Sequence, residues 1–176
     1  MKRQIAIILT SVLLPVLGAA DFRINVSGIK GTASAPCKTS AGVTLSQASW
    51  LKAKKDNTLS CDVKVTGEWK KYSFSFIPKA SGRFTISLMS SNARSFAACD
   101  DITITGATLK NGNFEQLNSK GEPEGWMKMK NPRFSNSEGV NNSNCSITAH
   151  NDRWLQIINC TEGQEVTITF YARSAK

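Results

Sequence analysis

A chain of 176 residues with a formal charge of +9 is long enough for one domain and too short for two complete β-sandwiches. Removal of Lys2 and Arg3 with a leader segment leaves twenty basic and thirteen acidic side chains, hence +7. No cysteine pair has C-x-x-C spacing, which disfavours a zinc site, and no recognised nucleic-acid module accompanies the basic charge, so no nucleic-acid partner is expected.

Residues Met1 to Ala20 read as a secretory signal. Lys2 and Arg3 form the basic start, Ile5 to Leu17 the apolar core, and Gly18-Ala19-Ala20 the small-residue cleavage site. The apolar run is short for a membrane span and is interrupted by Thr10, Ser11 and Pro15, so no span is expected after cleavage. This places the protein outside the cell or in its envelope.

From Asp21 onward the pattern is one of strands. Phe22, Ile24 and Val26 alternate with Arg23, Asn25 and Ser27, and the same period of two recurs over 61–66, 72–76, 84–89, 102–105 and 166–170. Only Leu45 to Lys55 has helical character. Turn-forming residues cluster at 31–36, 78–82, 118–125 and 131–144, and many short strands separated in this way predict an all-β, two-sheet antiparallel sandwich. Five cysteines in an exported chain favour at least one disulfide. Cys145 with Cys160 and Cys37 with Cys61 are the pairs considered, with Cys99 left over; the alternative is that all five are buried apolar groups.

Three groups of residues carry a family resemblance. Asn111-Gly112-Asn113-Phe114-Glu115 with Gly125-Trp126, the closing Asp100-Asp101-Ile102, and the strands at Gly67-Glu68-Trp69 and Phe170-Tyr171-Ala172-Arg173 resemble the jelly-roll carbohydrate-binding modules of families 4, 9 and 22, within the galactose-binding-like sandwiches. The order departs from that family: residues 21–105 resemble its C-terminal half and 107–176 its N-terminal half. The resemblance therefore implies a single, circularly permuted jelly roll, or a frame cut from a tandem array. A closed monomer is expected, with a half-swapped oligomer as the alternative.

The resemblance implies a metal site and two framework residues, but carries over no ligand residues. Asp100, Asp101 and Glu115 fall where it commonly holds a structural Ca2+, a cation that wants six to eight oxygens. Trp69 and Trp126 match its framework tryptophans, whereas Trp50 and Trp154 match no motif. A sugar presents C–H faces to aromatic rings and hydroxyls to polar side chains, so Trp50, Trp154, Gln156, Tyr171 and Arg173 are the expected ligand residues. The expected partner is a polysaccharide or glycan, and the basic charge would attract acidic polymers if it is not simply a solvated surface. No catalysis is expected. His150 falls in register with Thr148 and Ser146 on a face read as wet, no nucleophile motif is present, and Glu122 and Glu124 sit in a proline-containing loop. The alternative is an adhesive or structural envelope module without sugar binding.

Overall fold

The computed structural model describes residues 20–29, 38–49 and 57–176. Eleven strands are present among them: β1 (Ala20–Ile29), β2 (Val43–Ser49), β3 (Asn57–Val65), β4 (Lys70–Phe76), β5 (Gly82–Ser90), β6 (Phe96–Thr105), β7 (Met127–Met129), β8 (Arg133–Ser135), β9 (Cys145–Thr148), β10 (Arg153–Cys160) and β11 (Val166–Ala175). They form an all-β sandwich of two antiparallel sheets, ordered β2-β3-β1-β5-β10-β7 and β4-β11-β6-β9-β8. Strands from before and after Gly106 enter both sheets. β10 pairs with β5, and β11 lies between β4 and β6. Neither half therefore completes a sheet without the other.

The period of two explains the core directly. Phe22, Ile24 and Val26 from β1 and Phe84, Ile86 and Leu88 from β5 face Phe74, Phe76, Ile168 and Phe170 across the sandwich, all nearly without solvent exposure. Alternate residues point to opposite faces, so one face of each sheet collects these apolar side chains, while Met89 of β5 lies on the opposite face beside Asn25. Phe170 sits at the centre, 5.5 Å from the Phe22 ring and 5.7 Å from that of Tyr72. A second, smaller cluster of Ala98, Cys145 and Ile147 forms on the outer face of the five-stranded sheet, under Trp69 and Ala175.

Three sequence expectations change. Residues 45–49, read as helical, belong to β2, where Val63 opposes Val43 and Cys61 opposes Leu45; ladder pairing overrides a weak local preference. The remainder of that segment lies outside the described residues. Ser146 and Thr148 are buried rather than wet, and their hydroxyls donate to the carbonyls of Cys99 and Ala97. Cys61, Cys99, Cys145 and Cys160 are all free and buried. The Cys145–Cys160 pair does not form because Cys160 lies in the main core while Cys145 lies in the outer cluster. Cys37 is outside the described residues.

Candidate functional site

The motif segment 107–126 is built around one amide. Asn111 adopts φ 50, and its side-chain oxygen accepts from the Gln116 N–H while its nitrogen donates to the carbonyls of Gln116 and Glu124. The Asn111 carbonyl accepts from the Trp126 indole at 2.9 Å, and Trp126 stacks on Phe114 with 5.0 Å between ring centroids. Gly112 passes so close to β6 that an added Cβ would run into the Ile102 carbonyl, and its own carbonyl accepts from the Ile102 N–H. Each residue of the N-G-x-F motif thus has a local structural reason to be there.

The far side of this segment is pinned to β10. β7 pairs only with Arg153 to Leu155, and beyond that point β10 is bordered by Lys110 and Gly125. Gln156, nearly fully buried, takes the place of a strand neighbour: its oxygen accepts from the Lys110 N–H at 2.7 Å and its nitrogen donates to the Lys110 carbonyl at 2.9 Å. Two hollows result on either side of Lys110 and Gly125. One, of about 380 Å³, has Met127 and Ile157 as its apolar lining, with Thr108 and Asn159 beside them. The other, of about 410 Å³, is polar, lined by Asn111, Gln116 and Glu124. Both fall in the size range of small-ligand sites.

The residues expected to hold a ligand do not converge. Gln156 lines the first hollow. Trp154, two positions away, has no exposed surface; its indole donates to the Arg133 carbonyl at 2.9 Å and the Lys128 ammonium lies 5.5 Å from its ring, so no ring face is open for a sugar. Tyr171 and Arg173 lie on β11, in the other sheet. Tyr171 is half-buried, with the Lys71 ammonium 5.8 Å from its ring. Arg173 is ion-paired with Glu138 at 2.8 Å and stacks 5.1 Å from the Trp69 ring. Trp50 lies outside the described residues.

Nor are the three expected calcium ligands gathered into one cluster. The buried Asp100 carboxylate accepts from the N–H groups of Asp101 and Val140, at 2.7 and 2.8 Å, and from the Ser143 hydroxyl at 3.0 Å. Glu115 accepts from the Asn144 N–H at 2.8 Å. Both carboxylates therefore fasten the turn of 139–144: donors face both oxygens of Asp100 and one oxygen of the exposed Glu115. Asp101 stands at an irregularity in the β6–β11 register, with φ 48. Among the described residues no group of three or more His, Cys, Asp or Glu side chains is placed to hold a metal. Burial pushes the Asp100 carboxyl up to about 6 despite those three donors.

Lys110, Met127 and Ile157 were not singled out from sequence. Lys110 reads as one scattered charge, and Met127 and Ile157 come together only because β7 and β10 pair. Among the described residues no helix is long and apolar enough to cross a membrane. The chain matches no family model, no curated protein and no solved structure.

Proposed function

We propose that this protein is an exported, non-catalytic carbohydrate-binding sandwich whose ligand lies in the groove between Lys110 and β10. The observation that carries this reading is the groove itself: an apolar wall of Met127 and Ile157 continuous with hydrogen-bonding groups at Lys110, Asn159, Gln116 and Glu124. A sugar needs that combination, because its C–H faces are apolar and its rim is hydroxyl-bearing. The backbone of this wall is fixed by the Gln156 and Asn111 amides, which limits the entropy lost on binding. The resemblance of the N-G-x-F-E and Gly-Trp segments to sugar-binding jelly rolls supports the same reading.

A glycan array probed with the purified protein and with Ile157→Glu tests the proposal. Ile157 is exposed on the outer face of β10, so the change places a charge in the groove and leaves the core intact. A signal that the variant loses supports the reading, and the absence of any glycan signal, or one unchanged in the variant, refutes it.

One observation favours a second reading, that of an adhesive module. Met127 and Met129 are exposed on β7, the terminal strand of its sheet among the described residues, where another chain could pair. Light scattering that shows association, together with a blank array, would select it.

A further inference from the structure

Lys110 stands on the saddle between the two hollows and lines both. Its main chain is held on both its N–H and its carbonyl by Gln156, so the base of the side chain is fixed while four methylenes let the ammonium reach either side. The ion pairs found among the described residues are Arg23–Asp62, Lys64–Asp21, Lys128–Glu122 and Arg173–Glu138, and Lys110 is in none of them. Two other cations of this region are engaged: Lys128 with Glu122 and the Trp154 ring, and Arg133 against the Phe96 ring. Among the described residues Lys110 is also the only cation lining either hollow, and the one carboxylate, Glu124, belongs to the polar hollow alone. The apolar hollow thus pairs a positive group with an apolar wall and has no acid to neutralise it.

Resting on the carbohydrate reading above, we propose that the groove selects acidic sugars: an anionic substituent, carboxylate or sulfate, contacts Lys110 while the same ring lies over Met127 and Ile157, and the hydroxyls of the next unit meet Gln116 and Glu124. Glu124 then serves as a hydroxyl acceptor and discourages a second anion in the polar hollow, so acidic and neutral units alternate best along the bound chain.

The test compares a short oligosaccharide of alternating uronate and neutral units with its carboxyl-reduced counterpart, and one sulfated on alternate units with its desulfated form, by calorimetry at low ionic strength, where screening is weak. The wild-type protein is expected to prefer the anionic member of at least one pair by about 2- to 5-fold, the size of a solvent-accessible ion pair, and the pair concerned identifies the anion. Lys110→Gln removes the preference, so that the anionic and neutral members of the pair bind alike. Lys110→Arg retains it, and so does Lys120→Gln, an exposed lysine of the same segment that lines neither hollow. Thr108→Glu, which sets a negative charge in the apolar hollow, abolishes the preference without touching Lys110. Equal affinity for both members of each pair, or a preference that survives Lys110→Gln, overturns the assignment and leaves the carbohydrate reading standing; failure to bind any glycan on the array overturns both.

Discussion

Replacement of Asp100 by Asn should change how stability depends on pH more than it changes stability itself. Asp100 is fully buried, and its pKa moves from 3.8 to about 6, chiefly because burial disfavours the charged form. The native state therefore binds this proton more tightly than the unfolded chain does. Between about pH 4 and pH 6 the native form carries more of it, so the contribution of Asp100 to stability is present in full below pH 4 and is lost as pH rises through 6. At full burial that displacement corresponds to about 3 kcal/mol, and screening by nearby solvent reduces it to about 2 kcal/mol. In Asp100→Asn the amide oxygen can keep the Val140 and Ser143 donors, while its nitrogen faces the Asp101 N–H and one hydrogen bond is lost, about 1 kcal/mol. Urea denaturation at half-unit intervals from pH 4 to pH 7 measures both. The expected result is a wild-type stability that declines over this window relative to the variant, by about 2 kcal/mol in all. Parallel curves for the two proteins would refute the reasoning, since they would mean that Asp100 titrates alike in the folded and unfolded states.

Phe170→Ala should cost about 3–5 kcal/mol in chemical denaturation, because the ring has no exposed surface and touches both Phe22 and Tyr72; a loss under 1 kcal/mol would mean that the two sheets do not meet there. Thiol titration should count five cysteines in denaturant without reductant, whereas native protein at pH 8 should leave Cys61, Cys99, Cys145 and Cys160 unreactive. Burial pushes the Cys145 and Cys160 thiols up to about 12 and about 11, and a count of three in denaturant would restore a disulfide. Thermal melts with chelator and with added calcium should coincide, since protein donors already occupy both oxygens of Asp100 and one of Glu115; a melting point raised by calcium would show that the turn of 139–144 opens to admit the ion.

The two-sheet architecture was legible because the period of two is strong in β1, β3, β5 and β11, where Phe, Ile and Val alternate with polar residues. Faces were harder to read. In β9 the residues Cys145, Ser146, Ile147 and Thr148 are all buried, because the second cluster covers the outer face, and hydroxyls that suggested water instead bond to carbonyls of β6. The motif Asn111 to Glu115 lies beside the groove: Asn111 both frames and lines its polar hollow, whereas Phe114 and Glu115 serve the frame alone. Trp154 shows a further limit of sequence: a tryptophan outside any motif carries no sign of whether its ring points inward. The groove depends on contacts between residues distant in the chain, such as Gln156 with Lys110, which no local pattern announces.

The most direct test of the account is nuclear magnetic resonance of labelled protein titrated with the glycan selected on the array. Shifts confined to the amides of Lys110, Gln116, Glu124, Gly125, Met127, Ile157 and Asn159 are the predicted result. Shifts centred instead on Thr103, Thr169 and Tyr171, across the sandwich on the five-stranded sheet, would contradict it.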